Sequence, residues 1–146
     1  MRQTFDLCYN RFMNFEEILK PGLEATKTET VTEKNVASIV GSGGLDVYAT
    51  PAMIALMEIS AFSAVAPYLP PPWSTVGTEL NVKHLSATPK GMTVSARAEL
   101  LGIEGRALSF KVEAFDEKGK IGEGLHQRFI VDMEKFMVKT EGKRSS

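Results

Sequence analysis

The sequence predicts an α+β fold in which a five-stranded antiparallel sheet wraps around one long buried helix. Three observations carry this. Residues Ala52–Ala66 (AMIALMEISAFSAVA) are apolar on every side of a helix, the mark of a core helix. After the Pro70-Pro71-Pro72 run, four long segments alternate apolar and polar residues with period two. The links between those segments are short and carry glycine or proline where a tight turn needs one.

In chain order, Leu23–Val31 mixes Thr, Val and Ala with charges and reads as the first strand. Val40-Gly41-Ser42-Gly43-Gly44 is a flexible connection, either a plain loop or a lid over a pocket. Thr50-Pro51 opens the helix. Thr50 is expected to cap the free N–H groups, and Pro51 gives up a donor the first turn cannot use. Pro67 ends the helix. Val76–Ala87, Met92–Leu101, Leu108–Phe115 and Ile121–Met133 supply four more strands. Their short links (Thr88–Gly91, Gly102–Gly105, Asp116–Gly119) predict consecutive antiparallel hairpins. A helix this apolar needs more cover than one sheet face gives, so a homodimer is expected. The chain divides into an N-terminal extension over 1–20, with Met13 an alternative start, one domain over 21–138, and a polar C-terminal tail over 139–146.

Composition narrows the function classes. The 146 residues carry 17 Lys and Arg against 18 Asp and Glu, a net charge of −1, with 43% apolar and 24% charged residues. That mixture excludes disorder and gives no basic face for nucleic acid. The single cysteine, Cys8, has no partner for an internal disulfide, and no Cys/His cluster has metal-ligand spacing, so neither metal nor redox cofactor is expected. No uninterrupted run of about 18 apolar residues points to a membrane, and no apolar leader opens the chain, so a cytoplasmic location is expected.

Polar residues in apolar settings are the candidates for chemistry. Glu58 lies mid-helix between Met57 and Ile59, and a carboxylate taken out of water needs a partner or a shifted proton affinity. It is either functional or part of a solvated stripe with Ser60 and Ser63. If Thr78, Leu80 and Val82 face the helix, His84 does too, and a histidine aimed at a buried glutamate makes an acid/base pair. A core histidine satisfied by a carbonyl is the blander alternative. In Gly122-Glu123-Gly124-Leu125-His126-Gln127-Arg128 the glycines mark close approach of a ligand or backbone, and His126 and Arg128 share a strand face. His126 is expected on a solvated face; Arg128 would suit an anionic substrate. The Thr50 hydroxyl stands beside a helix N-terminus, where developing negative charge is favoured. Thr50 and Glu58 are eight residues apart, about 12 Å along a helix. If they share a site, the substrate bridges them or a second subunit supplies one.

Tyr48–Glu58, Ala66-Pro67-Tyr68-Leu69, Val76-Gly77-Thr78, Val82–Gly91 and Gly122–Arg128 together resemble the fluoroacetyl-CoA thioesterase family of hot-dog proteins, over roughly Glu24 to Phe136. The resemblance implies a dimeric hot-dog fold and hydrolysis of a short acyl-CoA to the acid and free CoA, with CoA a part of the substrate and no cofactor. It places the site on Thr50, Glu58, His84 and Arg128. Glu58 would be nucleophile or general base, Thr50 would polarise the carbonyl or hold the carboxylate, His84 would handle protons, and Arg128 would orient a site residue or touch substrate. The family's aromatic residues before the threonine are replaced here by Gly41-Ser42-Gly43-Gly44, so an acyl group other than fluoroacetyl is expected. The alternative from another class is a non-catalytic acyl-CoA or small-ligand binding protein on the same scaffold. A dehydratase would carry histidine and aspartate on the helix, and residues 51–66 contain neither.

Overall fold

The computed structural model describes residues 13–145. Cys8 and the poorly patterned 1–12 lie outside the described residues. The elements are α1 (Phe15–Ile18), β1 (Glu24–Thr30), α2 (Ala37–Val40), α3 (Thr50–Val65), β2 (Trp73–His84), β3 (Thr93–Glu104), β4 (Ala107–Asp116), β5 (Gly119–Asp132) and α4 (Met133–Glu141), with 3-10 turns at Ala66–Tyr68 and Gly142–Ser145.

The five strands form one antiparallel sheet in the order β1-β3-β4-β5-β2. The expected run of hairpins therefore holds for β3-β4-β5 and fails between β2 and β3. The reason is the helix. β1 takes the free edge of β3, and α3 then delivers β2 to the opposite edge, where it pairs with β5. Residues 85–92 carry the chain back across the sheet end. Two glycines of β5 make this packing possible. A Cβ at Gly124 would lie 2.2 Å from the Asn81 carbonyl oxygen, and one at Gly122 would lie 2.5 Å from Met53 Sδ.

α3 packs one stripe onto the sheet. Met53, Leu56, Met57, Ser60, Ala61, Ala64 and Val65 are buried, at the i, i+3, i+4, i+7 spacing of one helix face. They meet the inward residues of β3 (Val94, Ala96, Ala98, Leu100) and β4 (Leu108, Phe110, Val112, Ala114), which alternate with period two. The Ser60 hydroxyl lies 2.9 Å from the Leu56 carbonyl and 2.8 Å from that of Ala96, tying the helix to β3. One flank of the helix is left uncovered within the chain, as a helix this apolar against a single sheet face predicts: Ile59 is 50% exposed and Phe62 42%. With its 3-10 turn the helix makes a run of 19 residues, Thr50–Tyr68, long and apolar enough by length and composition to cross a membrane, yet seven side chains of α3 pack into the core.

Both ends contribute more than expected. Phe15 and Leu19 are buried, and the Phe15 ring meets Trp73 edge-on with centroids 5.1 Å apart. Phe15 and Leu19 thus pack into the core from within the segment expected to be an extension, while Asn14, Glu16 and Glu17 stay exposed. Asn14 caps α1 by accepting from Glu16 N–H. At the other end, Asp132 caps α4, which continues to Glu141, so the tail expected from residue 139 begins inside a helix.

Replacing Phe15 by alanine is expected to cost about 3 kcal/mol and lower Tm by roughly 10 °C. Thermal unfolding checks this, and an unchanged Tm would show that the segment only lies against the domain.

Candidate active site

Thr50 is the first residue of α3, and the capping position falls on Ala49, whose backbone is extended. The expected Thr50 cap is therefore corrected. Its hydroxyl lies 2.7 Å from His84 Nδ1, and an oxygen engaged there does not serve the helix N–H groups. His84 closes β2 and stands over the helix start. Its Nε2 is buried and has no hydrogen-bond partner among the described residues. Burial pushes the imidazole below its ordinary pKa, because the cation is the form that loses hydration. Thr50 and His84 line a cleft of about 280 Å³ together with Ser42, Tyr48 and Ser86. Tyr48 is fixed by donating its hydroxyl to the Glu29 carboxylate.

β2 changes parity on the way to His84. Trp73 and Thr75 are buried, the register shifts between Gly77 and Glu79, and after that Leu80, Val82 and His84 form the partly covered face. Thr78 is the extra residue of this bulge and is exposed, not helix-facing as alternation alone predicts.

The bulge sits where Glu58 comes down from α3. A Cβ at Gly77 would lie 2.7 Å from Glu58 Oε2, 3.3 Å from His126 Cε1 and 3.4 Å from Arg128 Nη1. The missing side chain is what admits all three groups. The Glu58 side chain is 40% exposed, so the fully buried carboxylate expected from the sequence is corrected to one at the edge of the core. It is not solvated freely: Arg128 Nη1 lies 3.5 Å from Oε2. Arg128 itself is buried. Its Nε donates to Thr75 Oγ1 at 2.9 Å and its Nη2 to the Thr75 carbonyl at 3.0 Å. Phe62 lies beside the guanidinium, 5.8 Å from its Cζ to the ring centre.

His126 is the residue that sequence reasoning misplaced. It is fully buried, not solvated, with Nδ1 2.8 Å from the Glu79 carbonyl and Nε2 3.2 Å from Arg128 Nη1. Burial, with the neighbouring Arg128 charge adding to it, holds its pKa below the ordinary value. The signal was parity: His126 shares its side of β5 with Arg128 and Ile130, both buried. Thr75 carried no sequence signal.

The four predicted residues thus form two groups within one chain. Thr50 meets His84, and Glu58 meets Arg128 with His126 and Thr75. The expected pairing of His84 with Glu58 is not made within the chain: no hydrogen bond or ion pair joins the two groups. The first group offers a hydroxyl, an imidazole and a helix start, suited to a polarised carbonyl. The second offers a carboxylate held by a fixed cation, suited to taking a proton. Among the described residues, no three His, Cys, Asp or Glu side chains are grouped to hold a metal ion.

Comparison with known proteins adds a family. The family described as fluoroacetyl-CoA-specific thioesterase matches residues 31–134. A fluoroacetyl-CoA thioesterase of Streptantibioticus cattleyicolor is 45% identical over 98 residues, 67% of this chain and 70% of that protein. A solved structure of the fluoroacetyl-CoA thioesterase FlK superposes with a TM-score of 0.80 at 36% identity, covering 86% of this chain and 97% of the other. A Thermus thermophilus protein described as a thioesterase superfamily member gives a TM-score of 0.80 at 26% identity, over 86% and 93%. A hot-dog-like protein from Thermanaerovibrio acidaminovorans shares the fold, with a TM-score of 0.82 at 21% identity over 90% and 97%.

His84 is expected to titrate below 6.5 in the folded chain. Its folded pKa is depressed, so the unfolded chain binds the proton first and this group lowers stability as pH falls from 6.5 towards the folded midpoint. Imidazole NMR against pH checks it, and a midpoint above 6.5 would contradict the burial argument.

Proposed function

The chain belongs to the fluoroacetyl-CoA-specific thioesterase family and is a thioester hydrolase with the hot-dog fold, and from that premise we propose that it cleaves short acyl-CoA esters at a site shared between two copies of itself. The observation that carries the shared site is the division of the four residues into two groups that do not touch. β2 is an edge strand of 12 residues, and its outer side has no strand beside it among the described residues. An unpaired edge is a template for a second chain. Antiparallel pairing of β2 with the partner's β2, in the register that sets His84 opposite the partner's Gly77, brings the imidazole toward the partner's Glu58. It also covers apolar surface at Ile59 and Phe62 that one chain leaves half exposed.

At such a site each group has a task. Glu58, oriented by Arg128 3.5 Å away, takes a proton from a water molecule as that water adds to the thioester carbonyl carbon. The side chain is exposed enough for water to reach it. The oxygen that gains charge meets the Thr50 hydroxyl and the free N–H groups at the start of α3. The C–S bond then breaks, and neutral His84 relays the proton from Glu58 to the departing CoA sulfur. Arg128 orients Glu58. Four of its five N–H donors are directed at Thr75, His126 and Glu58, which leaves one for a substrate oxygen.

The acyl group is read from the cleft wall. Of Gly41-Ser42-Gly43-Gly44 only the small Ser42 lines the cleft, and Gly41 and Gly44 have open space where a side chain would stand, which argues against a pocket closed over fluoroacetyl and for tolerance among short acyl groups.

Thiol release from a panel of short acyl-CoA esters tests the reading. Wild type is expected to turn over several members, and Glu58→Ala and His84→Ala are each expected to lower kcat by about 10²–10⁴-fold while the esters still bind. Binding without turnover on every ester would instead establish the non-catalytic alternative.

A further inference from the structure

Given the proposed role of Glu58, we infer that His126 is a positioning residue, a neutral imidazole that fixes the Arg128 guanidinium and through it the carboxylate. The protonation state follows from what its two neighbours can do. A carbonyl only accepts, so the Glu79 oxygen 2.8 Å away requires a proton on Nδ1. A guanidinium only donates, so Arg128 Nη1 at 3.2 Å requires a bare Nε2. One tautomer meets both. A ring flip would set carbon against each partner, and a second proton would set donor against donor.

The ring is also held in place. His126 lies opposite Phe110 in the β4–β5 register, with ring centres 6.2 Å apart, and Gly77 passes so close to Cε1 that even a methyl group there would press on it. With Thr75 accepting from Nε and Nη2, the guanidinium is gripped from two strands. Only then does the second hydrogen of Nη1 point at Glu58. His126 makes its hydrogen bonds to Glu79 and Arg128, not to the carboxylate, and does not line the cleft of Thr50 and His84, so its hold on the reaction passes through Arg128.

Two variants separate positioning from packing. His126→Gln keeps an acceptor near the Nε2 position, whereas His126→Asn keeps the donor to Glu79 and loses the acceptor. Loss of a hydrogen bond to a charged group is worth about tenfold or more. His126→Asn is therefore expected to lower kcat at least tenfold with KM changed less than about twofold. His126→Gln is expected to recover most of the rate at a similar Tm. In an Arg128→Lys background, His126→Asn should cost nothing further. Equal losses in both variants, or full activity in His126→Asn, would overturn the inference. Long-range ¹H–¹⁵N spectra of wild-type imidazoles decide the tautomer without activity: Nδ1–H supports it and Nε2–H overturns it. A wild type inactive on every ester would remove the hydrolase reading, and the spectra would still judge His126.

Discussion

A carboxylate on an apolar helix has to find a cation, and the rest of the structure depends on where this one does. Glu58 reaches Arg128 only because β2 has no side chain at Gly77. Arg128 is in place only because Thr75 and His126 hold it from β2 and β5. Pairing one charge with another at the edge of the core avoids most of the penalty of burying either alone. The glycine, the bulge beside it and the buried histidine are parts of one solution to that problem.

The consequence is two separate groups of polar side chains within one chain. α3 carries Thr50 at its start and Glu58 two turns on, and the sheet answers them with different residues: His84 at the end of β2, Arg128 on β5. Neither group alone holds all that thioester hydrolysis asks for, since polarising the carbonyl and activating water must happen at one carbon. The free edge of β2 and the half-covered flank of α3 are where a second copy would complete it.

Much of this was legible in the chain. Ala52–Ala66 announced the core helix, the period-two segments announced the strands, and the four polar residues were marked by position: Glu58 by its apolar helix, Thr50 by the helix start, His84 and Arg128 by their strand faces. The order of the strands was not legible, because short links suggest neighbours while β2 pairs across the sheet with β5. His126 was misread for a physical reason. Leu125 and Phe129 look like the inward face of β5, yet they are 55% and 41% exposed, and the polar His126 and Arg128 are the buried pair. The bulge at Gly77 hid the parity of β2 in the same way. Phe15 and Leu19 went unrecognised because a four-residue helix carries no period to detect.

Complementation between two inactive variants tests the shared site most directly. His84→Ala and Glu58→Ala, each purified, are mixed and allowed to exchange subunits. A heterodimer then holds one site with both substitutions and one with neither, so the mixture should recover roughly a quarter of the wild-type rate per chain. A mixture that stays as inactive as its components, while exchange is shown to occur, would mean that each site is built within a single chain.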